Sequence, residues 1–359
     1  MCWKKLNPIN YISAITYPLK ETKSAKRALL KLSEHGGQSE KLSREYVLAL
    51  EAEVERFRKG KGNKTRLLDL FLESLNLPLS PKSHADFYLQ YAKVLSFNEK
   101  PQLAAIFYEE ARRPDLVKII EDQLDKDFSL KDIEVVKEFA KESATPTFIG
   151  RTSKNQKVVI KPDQKVSAFS PWGEGRTVHH TSDNELGAFL LAKKLKVKTP
   201  YMIRRENFRG KRVTIQSMIP KRFLNTDLDP TPNEFQLFDY LIGNMDRYKH
   251  GNPELKNYLL IQKLGGKFIH LHIDGGAAFA VPSILLHSNR FPSLSRFKFP
   301  IKRSEYERVK KLSAKTIDSS LNGVIPHERI LEVHKRRDQL IDFIEKRIEN
   351  YALDKTFSD

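Results

Sequence analysis

The chain has 359 residues, with 63 Lys+Arg against 45 Asp+Glu, a net charge of +18, and 40% hydrophobic residues including 21 Phe. That length can bury a large core and suggests about two domains, while the phenylalanine content argues against global disorder. A lone Cys2 excludes an internal disulfide framework and a cysteine-based zinc site, and no stretch is apolar enough to span a bilayer.

Residues 1–38 carry scattered apolar positions broken at Gly36-Gly37 and predict no element. Helical spacing of Val47, Leu50, Val54 and Phe57 predicts a helix over 43–57, stopped by Gly60 and Gly62. Further helices are expected over 65–75, 84–95, 101–111 and 115–124, with prolines at their starts or breaks, and over 129–141 ahead of Pro146. Tyr88-x-x-x-Ala92-x-x-Leu95 and Ala104-x-x-x-Tyr108-Glu-Glu-Ala111 resemble one tetratricopeptide hairpin. With no second copy, a plain helical hairpin is the better reading. The first 142 residues thus read as an all-helical region.

Thr147-Phe-Ile-Gly-Arg151 and Lys157-Val-Val-Ile-Lys161 are short β-prone runs either side of a polar pentapeptide, which predicts a hairpin. The segment 162–182 is too long for a simple connector. A helix is expected over 183–195, capped by Ser182 or Asp183, with Leu186, Phe189, Leu190 and Leu195 as its apolar face. A strand ending at a proline follows over 213–220. Near the end of the sequence, helices are expected over 306–312 and 326–351, the latter with Ile330, Leu331, Val333, Leu340, Ile341, Phe343 and Ile344 on its buried faces.

The chemistry concentrates in 238–279. An Asn-Met-Asp-Arg cluster at 244–247 ends an apolar segment, Asn257 precedes a strand-like run, and Asp274 is followed by two glycines. This is the layout of a metal-dependent phosphoryl-transfer site. Asp246 would orient and deprotonate an acceptor hydroxyl, and Asn257 and Asp274 would hold Mg²⁺. Mg²⁺ takes few protein oxygens and keeps water and phosphate for the rest, so one carboxylate and one amide suffice. Asn252 is the runner-up amide, because the insertion 248–256 separates the Asp from the following Asn. His270-Leu-His272-Ile-Asp274 could ligate zinc on one strand face. Gly275 stands where a binuclear metallohydrolase would want another His, and packing histidines are the preferred reading. No Gly-x-Ser-x-Gly elbow, Walker loop or Gly-x-Gly-x-x-Gly fingerprint occurs.

In order, Asp239-Tyr-Leu-Ile-Gly-Asn-Met-Asp-Arg247, Asn257-Tyr-Leu-Leu-Ile261 and Ile273-Asp-Gly-Gly-Ala-Ala-Phe279 resemble the catalytic core of atypical kinases of the Fam20 type and their relatives, the type II phosphatidylinositol 4-kinases and HipA-like kinases. Lys161-Pro162 resembles the strand-Lys-Pro element of the same group. The resemblance implies that Lys161 holds nucleotide phosphates, oriented by Glu185, and that Arg247 braces the catalytic turn. The adenine would meet the hinge-like segment near Gln216 to Met218. The implied fold is α+β: a two-lobed protein-kinase-like catalytic domain, with an N-lobe over 143–220 and a C-lobe over 221–359, behind a helical region over 1–142. The implied cofactors are ATP with Mg²⁺ or Mn²⁺. A protein Ser/Thr acceptor is favoured, with a phosphoinositide kinase as the alternative, and a non-phosphorylating nucleotide transferase or polyanion-binding pseudokinase as the third class.

Secreted Fam20 kinases are disulfide-bonded, so a lumenal location is not carried over to a chain with one cysteine. The opening Met-Cys-Trp-Lys-Lys also lacks a signal-peptide core. The expected location is the cytoplasm, or a host cytosol after export. Basic clusters at Lys193, Lys194, Lys196 and Lys198, from Arg204 to Arg212, and at Lys302, Arg303, Arg308, Lys310 and Lys311 predict a polyanion partner. An inositol polyphosphate or anionic membrane is expected rather than nucleic acid, since a pure nucleic-acid module would leave the ordered Lys161, Glu185, Asp246, Asn257 and Asp274 set unexplained.

Overall fold

The computed structural model describes residues 40–77, 79–129, 132–138, 147–166, 179–225, 235–244, 258–276, 278–279, 294, 297–351 and 353–358. They form two compact units: residues up to Asp127 together with Ile261–Ile269, and Phe128–Leu260 together with His270–Asp359.

The first unit is helical: α1 (Glu40–Arg58), α2 (Lys64–Ser74), α3 (His84–Phe97), α4 (Pro101–Glu110) and α5 (Pro114–Ser129). Tyr46, Leu50 and Val54 fall on one stripe of α1 and are fully buried. Asn63 starts α2 by accepting the Thr65 and Arg66 amides at 2.9 and 3.1 Å. The α3–α4 hairpin packs around aromatic rings, with Tyr91 stacked on Phe71 at 5.7 Å and 4.6 Å from Phe107. The turn at Leu264–Gly266 folds with these helices. Leu264 is buried, its amide donates to the Tyr88 hydroxyl at 3.2 Å, and the Gly265 amide donates to the Leu75 carbonyl at 3.0 Å.

The second unit opens with an antiparallel sheet in the order β1-β2-β3-β7-β6: β1 (Glu134–Glu138), β2 (Phe148–Arg151), β3 (Lys157–Pro162), β6 (Met202–Phe208) and β7 (Lys211–Ser217). The helix expected over 129–141 is not formed. Ser129 ends α5, and residues 134–138 pair with β2 as an edge strand that leaves most side chains in solvent. Ile133, just ahead of it, packs where a Gly150 side chain would stand, so the pairing is anchored by burial that helical spacing alone does not register. The hairpin expected at 147–161 is present, closed through Thr152, Asn155 and Gln156. Lys165–Val166 (β4) and His179–His180 (β5) form a short ladder inside the long connection.

Helix α6 (Thr181–Leu195) follows. Neither Ser182 nor Asp183 serves as its cap: the Ser182 amide donates to Asp163 at 3.0 Å, and Asp183 binds Arg204 and Arg212. Its buried stripe also differs from the expected one. Ala188, Leu191, Ala192 and Leu195 enter the core, while Leu186 and Leu190 are half-buried. Gly187 lies against Ile325 and Phe279, where a Cβ would come within about 3 Å of both. That core includes α7 (Gln236–Ile242), which ends at Gly243 in the left-handed region with φ 63°. A two-stranded sheet, β8 (Tyr258–Lys263) with β9 (Lys267–His272), comes next in the chain.

The chain then forms β10 (Ile301–Lys302), α8 (Arg303–Lys310), α9 (Ala314–Leu321), α10 (His327–Asn350), α11 (Leu353–Thr356) and β11 (Phe357–Ser358). In α10, Ile330, Val333, Leu340 and Ile344 are buried, whereas Leu331 is exposed and Ile341 and Phe343 are half-buried. The architecture is α+β, and among the described residues the N-terminal region from Glu40 to Ser129 is helical. Among the described residues, no helix is long and apolar enough to cross a membrane.

Candidate active site

Lys161 occupies β3 directly opposite Thr214 of β7, so the two side chains share one face of the sheet. Glu185 rises to meet them from the first turns of α6. The Lys161 ammonium donates to Glu185 Oε1 at 2.6 Å and to Asp274 Oδ1 at 3.1 Å, across 113 residues of sequence in the second case. The other Glu185 oxygen accepts the Thr214 hydroxyl at 2.6 Å. Glu185 and Thr214 are buried, and the Asp274 side chain is 40% exposed, so the cluster opens to solvent on the Asp274 side.

Burial alone disfavours the Lys161 ammonium, but Glu185 and Asp274 outweigh it and hold the lysine above its ordinary range. Burial also raises the Glu185 carboxyl; Lys161 opposes that rise and the Asp274 charge adds to it. Two carboxylates therefore face one ammonium. A divalent cation on the exposed Asp274 oxygens would balance the excess negative charge.

The loop carrying Asp274 is held from two directions. Asp274 has φ 60°, in the left-handed region. Gly275 lies so close to α6 that a Cβ there would come within 2.7 Å of the Ala188 Cβ. Asn184 donates to the Gly276 carbonyl at 2.9 Å, and its own side-chain oxygen accepts from Arg329 at 3.3 Å. On the other side, the Phe279 amide donates to the Ile242 carbonyl at the end of α7. Gly276 itself leaves room: a Cβ there would be 3.6 Å from Asp274 Oδ1 and 3.8 Å from Glu185 Oε1.

The end of α7 is braced by a buried polar group. Asn244 donates to Asp239 at 2.9 Å, and His272 Nε2 lies 3.1 Å from the same oxygen, with all three residues buried. His272 packs between the Phe235 and Phe238 rings, so it belongs to this brace as the packing reading expected. Among the described residues, no group of three or more His, Cys, Asp or Glu is placed to hold a metal. The Arg336 guanidinium donates to the Leu241 carbonyl at 3.0 Å and lies against Gly243, where any Cβ would meet it at 2.9 Å. Burial lowers the Arg336 pKa to about 10.

The structure thus brings Lys161, Glu185 and Asp274 together. Gln216 is half-buried in β7, paired with Val159 and Met202, and the Met218 amide donates to the Lys157 carbonyl within the sheet. Asp246, Arg247, Asn252 and Asn257 lie outside the described residues. Sequence reasoning missed Thr214, Asn184, Arg329 and Arg336. The alternation of β7 could have signalled only Thr214, as the residue facing Lys161.

The basic clusters are partly used within the fold. Arg204 and Arg212 both bind Asp183 and Glu206, which ties β6 and β7 to the start of α6. Lys193 lies over the Phe189 and Tyr201 rings, and Lys310 pairs with Glu345 at 2.7 Å.

No protein-family model matches the chain, and no curated protein does. Among solved structures, it is similar to Fam20 of hydra, solved with a sugar, at 14% identity over 67% of this chain and 92% of that one, with a TM-score of 0.47. It is also similar to the Golgi casein kinase, at 13% identity over 67% and 79% of the two chains and a TM-score of 0.46. The proinflammatory kinase CtkA of Helicobacter pylori is similar at 12% identity over 60% and 95%, with a TM-score of 0.38. These are similarities in the path of the chain. What the site can do is read from its own side chains.

Proposed function

We propose that this chain is an ATP-dependent phosphotransferase that moves the γ-phosphoryl group to a hydroxyl. The observation that carries the reading is the Lys161 ammonium held between Glu185 and Asp274. A strand lysine oriented by a buried helix carboxylate, beside a second, exposed carboxylate on a glycine loop, suits a polyphosphate bound through a divalent cation. Lys161 would bind phosphate oxygens, and Glu185, itself fixed by Thr214, would keep the ammonium aimed. Asp274 and Asn257 would hold Mg²⁺ or Mn²⁺, which when bound neutralises phosphate charge. Asp246 would take the proton from the acceptor hydroxyl, and the adenine would lie beside the hinge-like segment from Gln216 to Met218, whose Ser217 and Met218 amides are already given to the Tyr201 and Lys157 carbonyls.

A protein Ser/Thr acceptor is favoured, and a phosphoinositide is the second reading because the same motifs and a basic surface serve both. Polyanion stimulation would act through the lysines at 193–198 or the cluster at 302–311, since Arg204 and Arg212 pair with Asp183, and it predicts a salt-sensitive thermal shift with inositol hexakisphosphate. The deciding experiment is mass spectrometry of the full chain incubated with ATP, Mg²⁺ or Mn²⁺, and mixed protein and lipid acceptors. A phosphate on protein is the expected product. A phosphorylated lipid would select the lipid reading, an AMP adduct the nucleotide-transferase reading, and no modified product would overturn the phosphotransferase.

A further inference from the structure

We infer that Asn184 is the positioning residue that holds the Asp274 loop at a set distance from Glu185, a role that deepens the phosphotransferase reading and rests on it for its catalytic consequence. Asp274 adopts φ 60°, a conformation that non-glycine residues rarely take, so something outside the loop must hold it. Two direct ties reach the described loop from α6. One is packing of Gly275 on Ala188, and the other is the Asn184 amide on the Gly276 carbonyl at 2.9 Å.

Asn184 is itself fixed. It is buried, and its side-chain oxygen accepts from Arg329, a buried residue of α10. Arginine can only donate and a carbonyl can only accept, so the network dictates which end of the amide faces which partner. Only a side chain that donates at one end and accepts at the other completes it. Asn184 is also the immediate neighbour of Glu185. The same turn of α6 therefore sets both carboxylates that Lys161 bridges. Lys161 is a tie that phosphate would draw away, whereas the Asn184 tie persists when it does. The separation of Glu185 from Asp274 is in this way built into α6 rather than left to the ammonium.

The test compares Asn184→Asp and Asn184→Ala with wild type. Asp keeps an acceptor for Arg329 but has no donor for the Gly276 carbonyl, while Ala loses both. The first measurement needs no nucleotide: hydrogen exchange at the Ala278 and Phe279 amides, which donate to the Gly275 and Ile242 carbonyls. It is expected to rise about tenfold or more in Asn184→Asp while the amides of α6 keep their protection. Unchanged exchange in the loop overturns the proposal, and so does equal loss of protection throughout α6, which would mark a general packing role. The second measurement is the Mg²⁺ concentration giving half-maximal ATP binding. It is expected to rise about three- to tenfold in Asn184→Asp, the scale of one hydrogen bond. If exchange rises in the loop but wild type binds ATP with no metal dependence, Asn184 holds the loop and the phosphotransferase reading fails.

Discussion

Thr214 donates its hydroxyl to Glu185 at 2.6 Å from the strand position directly opposite Lys161. The buried carboxylate thereby has one oxygen on a neutral donor and the other on the ammonium, and its orientation is fixed before any nucleotide arrives. Thr214→Val keeps the shape and removes the donor. It is expected to cost about 1–3 kcal/mol of stability, the range for leaving a buried acceptor unsatisfied. Thr214→Ser should recover most of that loss. Urea denaturation of the two variants measures it, and equal stability of Thr214→Val and wild type would contradict the assignment.

A pH dependence follows from Lys161. In the folded chain, burial holds Glu185 above its ordinary value of 4.5 despite the nearby ammonium. Lys161→Met removes the ammonium and raises the carboxyl further. A carboxyl raised by folding favours the folded state below its ordinary value and loses that contribution as pH rises through its folded value. The stability deficit of Lys161→Met should therefore be small near that ordinary value and grow to about 3 kcal/mol at neutral pH, as expected for a buried charge left without its partner. Melting temperatures of variant and wild type across this range check it. A deficit independent of pH would mean that Lys161 contributes packing only.

Close approach predicts a suppressor pair. Gly275→Ala would drive a methyl group to 2.7 Å from the Ala188 Cβ and push the Asp274 loop off α6. The expected cost is about 1–3 kcal/mol, with a larger fractional loss of ATP binding. Ala188→Gly in the same molecule should restore binding, because it removes the atom that is struck. Failure of the double variant to recover would place the constraint elsewhere.

Part of this site was legible in the sequence because its markers are local. Lys161 ends a β-prone run before a proline, Glu185 lies near the start of a helix, and Asp274 precedes two glycines. Their partners were not legible because the contacts are long-range. Asn184 meets Arg329 across 145 residues and Gly276 across 92, and Arg336 meets Leu241 across 95. Arg329 and Arg336 are charged residues between the apolar positions of their helix, yet both are buried. The strand at Glu134–Glu138 escaped for a related reason: it is defined by its pairing with β2, not by alternation in its own residues. The Arg204 to Arg212 cluster read as surface charge, and the structure commits two of its arginines to Asp183.

The brace beneath α7 separates chemistry from binding. Asn244 is buried and donates to Asp239, which also meets His272, and Asp246 follows two residues later in the chain. Asn244→Ala is expected to lower phosphoryl transfer by about a hundredfold, the scale of a misplaced catalytic group. ATP binding should change by less than about threefold, within the worth of one weak hydrogen bond. Single-turnover kinetics with a parallel binding titration distinguish the two, and equal losses in both would remove Asn244 from the support of the catalytic turn.

The most direct test of the central claim is a calorimetric titration of ATP, with Mg²⁺ and with a chelator, into wild type, Asp274→Ala and Lys161→Met. Wild type should bind with clear metal dependence. Asp274→Ala should lose the metal dependence while remaining folded by circular dichroism, and Lys161→Met should bind weakly under both conditions. Metal-dependent binding of wild-type strength in both variants would contradict a nucleotide site built on Lys161, Glu185 and Asp274.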